Sequence, residues 1–367
     1  MKRERFGAAC RYALLVLLLA ALLPGAKTWT PWALFAFVLF LSPVSLLLSL
    51  PAAKHNSASL SLPTSAAKEK SASGVLILTN NSLFPAVKLR ITISILNDLT
   101  GEEETLSLSA GVGAKQTFRQ ELELKSAHCG RLYVHIKSAA VFDYFGVFSK
   151  KLRLEAAARL TVLPELFPCD VSISPAFVTA DEESVSERGD DMTELFALRE
   201  YQSGDPIRRI HWKLSSKVGS LLVKEPGRNI SRSLLVFWDK RHGCSPMRMD
   251  ALAEAACSLA QSLSEQGLSY DLAWSDGEEL QLRSIPDGNA LLAAIGAMVT
   301  RAGHPDSPLP DTKGYGRVIR FCAALPDTVD EENIFHILCC DAQAASGKNM
   351  LVFSPENRKE QLERLEI

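Results

Sequence analysis

The sequence predicts a multi-domain α+β chain: a two-helix transmembrane hairpin, an immunoglobulin-like β-sandwich, and an α/β domain. Three observations carry this reading. Two uncharged apolar runs open the chain, Tyr12–Leu23 and Ala33–Leu50. From Val75 to Pro164 apolar and polar residues alternate with a period of two, the mark of half-buried strands. Beyond Ser233, short apolar runs alternate with helical patterns, which points to a mostly parallel sheet with helices on both faces. At 367 residues and 47% hydrophobic composition the chain can bury more than one core. A formal net charge of -2 argues against a general nucleic-acid binder, which needs an extended cationic face.

The hairpin occupies residues 1–53, with spans at about 6–24 and 32–51. A cleaved signal peptide would fit the basic start and first apolar run, but polar mature sequence should then follow. Here a second apolar span comes instead. Trp29 and Trp32 lie in the connecting turn, where interfacial aromatics are expected. Lys2, Arg3, Arg5 and Arg11 precede the first span, and Lys54, Lys68 and Lys70 follow the second, so both termini are expected in the cytoplasm of a two-span membrane protein. The eight cysteines are scattered without a metal-ligand spacing and read as reduced, mostly buried thiols, which agrees with that location.

Residues 54–74, rich in Ser, Ala and Lys, read as a linker. Strands follow within a sandwich at 75–164: Val75–Ser82, Ala86–Leu96, Glu104–Ala110, Gln116–Lys125, Gly130–Asp143 and Lys150–Pro164. His128 and Cys129 sit at one of its turns without a third group to orient them. Residues 165–230 form a less regular connecting segment, 231–355 the α/β domain, and 356–367 a tail. In the α/β domain Ser233–Asp239 is a buried strand, and an amphipathic helix after it carries Leu252, Ala255, Ala256, Leu259 and Leu263 on one face and stops at Gly267. Neither a Gly-x-Gly-x-x-Gly run nor a phosphate-binding Gly-Lys-Ser or Gly-Lys-Thr occurs, and no cofactor is implied.

The connecting segment holds the densest charge, "LREYQSGDPIRRIHWKLSSK" from Leu198 to Lys217. Gly204 makes a turn, Asp205 is a good N-cap and Pro206 suits the first helical position, so a short helix is expected from Pro206 to about Lys217. Ile207, Ile210 and Leu214 share its buried face. Arg209 and Lys213 form a cationic ridge, and Arg208 lies one turn from Trp212, close enough to stack on it. Two readings stay open for this cluster. One is an ion-paired joint between domains, with Glu194, Glu200, Asp205 and Glu225 answering the cations. The other is an anion-binding face for an acidic partner surface, phosphate or anionic lipid.

The same stretch resembles the family catalogued as domain of unknown function 58. The residues that carry the resemblance are Arg199, Glu200, Tyr201, Gly204, Asp205, Arg208, Trp212, Lys213 and Ser215 to Lys217, together with an "FDYFGVF" turn at the end of the sandwich. The resemblance implies a membrane-attached protein whose α/β domain is like von Willebrand factor type A. It also implies partners, a MoxR-type AAA+ ATPase and a transglutaminase-like membrane protein, but no known reaction. Metal-binding type A domains carry Asp-x-Ser-x-Ser at the first strand end. This chain reads Asp239-Lys240-Arg241-His242-Gly243, with both hydroxyl ligands replaced, so no metal is expected there.

The function expected is therefore that of a non-enzymatic, membrane-anchored cytoplasmic scaffold. The rival is a hydrolase or transferase at the membrane face using Arg199, Asp205, Arg208, His211 and Lys213, with His211 beside Asp205 as its base. An extracellular adhesion module would need the opposite topology and an intact metal site.

Overall fold

The computed structural model describes residues 2–25, 27–143, 147–172, 186–188, 195–200, 215, 222–229, 234–324, 333–341, 347 and 349–366. The chain divides into two units, one of Met1–Glu165 with Val299–Arg301, the other of Leu166–Met298 with Ala302–Ile367.

The first unit opens with helices α1 (Lys2–Leu22) and α2 (Thr30–His55), joined through a 3₁₀ turn at Leu23–Gly25. Pro31 falls in the first turn of α2, where its missing N–H is no loss. The hydroxyl of Tyr12 donates to the carbonyl of Val38 and ties the two helices together. Both carry large apolar side chains outward, including Leu14, Leu17, Leu18, Phe37, Phe40 and Leu47. Among the described residues no helix is long and apolar enough to cross a membrane.

Nine strands follow: β1 (Asn56–Ser61), β2 (Ser65–Ala67), β3 (Ala72–Asn80), β4 (Ala86–Asn97), β5 (Glu103–Val112), β6 (Thr117–Leu124), β7 (Gly130–Phe142), β8 (Ser149–Leu152) and β9 (Ala157–Leu163). One sheet runs β1-β3-β6, the other β2-β9-β7-β4-β5 with β8 beside β7. Their inner faces, among them Leu76, Leu78, Leu89, Ile91, Ile93, Val134, Val141 and Leu160, form one core, so this is a β-sandwich. The stretch expected to be a linker, 54–74, is instead the end of α2 followed by β1, β2 and the start of β3. Its inward positions are mostly small: Ala58 and Ala66 pack on the core beside Leu60 and Leu62. A Cβ on Gly74 would lie 2.3 Å from Leu62 Cδ2, so glycine makes room for that leucine. The run Lys150–Pro164, expected as one strand, breaks into β8 and β9.

A buried asparagine fixes the turns at each end of the sandwich. At the end next to α2, Asn80 donates to Phe84 O (2.9 Å) and Gly113 O (3.0 Å) and accepts from Ser82 N (3.0 Å) and Ser82 Oγ (2.7 Å). At the far end Asn97 donates to Cys129 O (3.1 Å) and accepts from Leu99 N (3.0 Å). Gly130, with φ +137°, passes close to that asparagine, and a Cβ there would lie 2.2 Å from its Oδ1.

The second unit contains β10 (Asp170–Ser172), β11 (Ser186–Arg188), β12 (Leu195–Glu200), β13 (Leu222–Asn229) and β14 (Leu234–Asp239). After these come α3 (Pro246–Glu265), β15 (Tyr270–Asp276), β16 (Glu279–Ile285), α4 (Gly288–Met298), β17 (Arg317–Cys322), β18 (Ile334–Cys339), β19 (Met350–Phe353), α5 (Arg358–Gln361) and β20 (Arg364–Glu366). The central sheet has the order β16-β15-β14-β17-β18-β19, parallel except for the edge strand β16. This is a doubly wound arrangement, with β14 at the point where strand order reverses. The sequence reading omitted β17, a central strand.

Helix α3 begins at the cap Ser245, with Pro246 in its first turn. It ends as the sequence predicts: Gly267 has φ +75° and donates to Ser264 O, and Leu268 N reaches Leu263 O, the pairing of a Schellman motif. The helix is buried on more than its sheet-facing stripe. Ser258 Oγ accepts from Phe167 N (3.1 Å) and Ser262 Oγ from Cys169 N (3.3 Å), pinning the start of the unit along α3. Glu254, fully buried, pairs with Arg358. The expected tail, 356–367, is accordingly structured: it forms α5 and then β20, which pairs in parallel with β10.

None of the eight cysteines is in a disulfide. Burial pushes the thiols of Cys169, Cys322 and Cys339 up to about 12, so they are inert packing residues.

Candidate functional site

In a doubly wound sheet, ligands gather outside the carboxyl ends of the strands where the order reverses. Here that place lies between β14 and β17 and begins with Asp239. The carboxylate is 1% exposed. Arg241 reaches it through Nε to Oδ1 and Nη2 to Oδ2, both at 2.9 Å, and its backbone N–H adds a third bond at 3.1 Å. From β17, Arg320 Nη2 meets Oδ2 at 2.5 Å, with its guanidinium 5.9 Å from the ring of Phe237. Burial alone would raise the acid's pKa. The hydrogen bonds from Arg241 and Arg320 win, and the carboxyl titrates at about 2.

Lys240 turns inward. It is 1% exposed, its Nζ donates to Met298 O at 2.8 Å, and it lies 4.9 Å from the ring centre of Trp238. The backbone passes close by at Gly303, where a Cβ would come within 2.7 Å of Lys240 C. A third arginine completes the cluster. Arg248, in the first turn of α3, donates to Ala323 O at 2.5 Å and to Cys339 O at 3.0 Å, closing over the ends of β17 and β18. Asp341, largely exposed, stands 4.0 Å from Arg248 Nη1.

This constellation does not fit a divalent cation. Both oxygens of Asp239 are occupied by guanidinium groups, the serine hydroxyls of a type A metal motif are absent, and the nearest side chains are cationic. What it can do is hold Arg241 rigidly, with Nη1 outside the clamp. Such a rigid guanidinium suits a carboxylate or phosphate.

Of the signature residues, Arg199 and Glu200 lie on β12, opposite Val223 and Leu222 of β13. Tyr201, Gly204, Asp205, Arg208, Arg209, His211, Trp212, Lys213 and Lys217 lie outside the described residues, as does most of the helix expected there. Ser215 within that stretch is helical and buried. Of the loop read from the sequence as a degenerate metal site, Asp239 and Arg241 are joined as described, and Lys240 is buried inside. Sequence reasoning missed Arg248 and Arg320. The available signal was an arginine inside the buried run "VIRF", which requires a buried acid.

Residues 197–314 match the family model described as "Protein of unknown function DUF58". That segment is similar to the DUF58 family. The matched segment runs from β12 past α4 and includes the Asp239 loop. No curated protein matches the chain. Among solved structures, the CARDB domain of PF1109 from Pyrococcus furiosus is similar at 14% identity over 29% of this chain and 87% of that one, with a TM-score of 0.23. A PapD-like domain of human CEP192 is similar at 11% identity over 31% of this chain and 87% of that one, with a TM-score of 0.22. A β-glucosidase from Listeria innocua reaches 12% identity over 27% of this chain and 16% of its own, at 0.20. At TM-scores this low none of these likenesses bears on fold or function.

Proposed function

We propose that this protein is a membrane-anchored cytoplasmic scaffold whose α/β unit, read as a von Willebrand factor type A-like domain, binds an acidic surface of a protein partner without a metal. The proposed partner is a MoxR-type AAA+ ATPase, with a transglutaminase-like membrane protein in the same assembly. The observation that carries the reading is the Arg241–Asp239–Arg320 clamp at the reversal point of the sheet. A guanidinium held fixed in this way can receive an acidic side chain without a metal, which supports the reading. The outward apolar side chains of α1 and α2 support membrane anchorage by a two-helix hairpin with both ends inside.

The test is titration of a purified MoxR-type ATPase into the full-length, detergent-solubilised chain. The scaffold reading expects binding that persists in EDTA, weakens with salt, and is lost on Arg248→Glu. Binding abolished by EDTA would overturn it.

A further inference from the structure

We propose that the end of the β-sandwich next to α2 is a second membrane contact, in which Leu83, Phe84 and Phe148 enter the interface and flanking lysines meet anionic lipid headgroups. The inference rests on the proposed anchorage of the hairpin in a membrane.

The placement follows from strand register. Helix α2 ends at His55, and the next residue, Asn56, is paired with Asn80 at the close of β3. The loop 81–85 therefore sits at the junction of helix and sandwich. Two further connections share that end. The β5–β6 turn does so because Lys115 N bonds to Ser82 O and Asn80 N to Gln116 O. The β7–β8 hairpin does so because Lys88 at the start of β4 faces Phe142, which faces Ser149. Helix α2 also comes against β4, β7 and β8.

These connections present apolar side chains where a water-facing loop would carry polar ones. Leu83 is 72% exposed, Phe148 42% and Phe84 39%. Their exposure is built in. The Asn80–Ser82 network bonds the backbone on both sides of Leu83, with Phe84 O taken by Asn80 Nδ2 and Ser82 Oγ, so the loop cannot fold the two side chains under without breaking buried hydrogen bonds. Asp143 Oδ1 likewise takes the N–H of Phe148 at 2.8 Å and sets the hairpin. A rigid apolar tip loses little entropy on entering an interface.

Charge selects the lipid. Lys115, Lys150, Lys151 and Arg153 are exposed around these tips, while Asp143 beside them is buried. The opposite end of the sandwich mixes signs: a cavity of about 650 Å³ is lined there by Glu69, Glu102, Glu103 and Glu104 with Lys125, and Asp98 there faces Arg131 and Arg159. The one-sided basic charge is thus found at the end towards the helices. An anionic leaflet would attract that end.

Photo-crosslinking tests this on the full-length chain, reconstituted into vesicles of phosphatidylcholine mixed with phosphatidylglycerol. The photoreactive residue is placed at one position at a time, as Leu83→p-benzoylphenylalanine, as the same change at Leu17 in α1, and as the same change at Glu104. Phospholipid adducts are expected at 83 and 17 and none at 104. The yield at 83 should fall about tenfold when phosphatidylglycerol is omitted, and similarly in Lys150→Glu/Lys151→Glu, while the yield at 17 stays unchanged. Adducts at 17 with none at 83 overturn the second contact and leave the hairpin reading standing. Adducts at 83 with none at 17 keep the contact and remove the hairpin. Crosslinking of 83 to polypeptide, or a yield indifferent to phosphatidylglycerol, overturns the proposal.

Discussion

Arg241 grips both carboxylate oxygens of Asp239 at 2.9 Å, two positions along the chain from it, and so closes the mouth of the strand that ends there. The pair is local in sequence, but Arg320 from a neighbouring strand makes it a tertiary joint. With Asp239 removed, two guanidinium groups would be left without their shared acid.

The acid limb of stability should report this joint. The folded carboxyl titrates at about 2 against an ordinary 3.8, so the unfolded chain binds the proton more readily. The contribution is complete above the unfolded value and is lost as pH falls through the folded one. It amounts to about 2 kcal/mol by linkage. Thermal unfolding of the detergent-solubilised chain, followed by circular dichroism, should show stability falling between pH 4 and 2. Asp239→Asn should flatten that slope while lowering stability by about 3 kcal/mol at neutral pH.

Magnesium should find no site at this strand end. Calorimetric titration of the full-length chain is expected to give no saturable heat. Saturable binding that disappears in Asp239→Ala would contradict the clamp.

Gly303 should not tolerate a side chain. A Cβ there lies 2.7 Å from the carbonyl carbon of Lys240, which is backbone and cannot rotate away. Gly303→Ala is expected to destabilise the protein by about 1–3 kcal/mol in the same unfolding assay, with β14 or the Gly277–Gly303 bridge displaced.

Topology can be read by reporter fusion at Ile367. The lysine and arginine bias around the apolar runs expects a cytoplasmic signal. An external C-terminus would sink the scaffold reading.

The parts of the fold that the sequence disclosed are those with a clean period. Strand β3 alternates buried and accessible positions throughout, and the apolar stripe of α3 from Leu252 to Leu263 is buried as its spacing predicts, although burial extends beyond it. Strand β1 escaped because Ser and Ala dominate it, and a stripe of small residues looks like a linker until Leu62 is seen packing over Gly74. Strand β17 escaped because Arg317 and Arg320 interrupt an apolar run, although both are buried. At the candidate site, the cationic character of the loop after Asp239 was legible from residue types alone. The clamp was not, since Arg320 lies far along the chain and only the parallel register of β14 and β17 brings it to Asp239.

The pairing of β10 with β20 has a mechanical consequence. These strands are the first and last of the α/β unit, and they run in the same direction, Asp170 beside Arg364 and Ser172 beside Glu366. The unit therefore begins and ends at one seam. Tension between the chain entering at β10 and the chain leaving after β20 would slide the strands along each other, loading Ser172 Oγ–Leu365 O and the ladder together instead of unzipping it bond by bond. Gln266 Nε2, bonded to Val171 O, rivets the same seam to the end of α3. A force applied at the C-terminus would have to shear this seam before it could reach the central sheet.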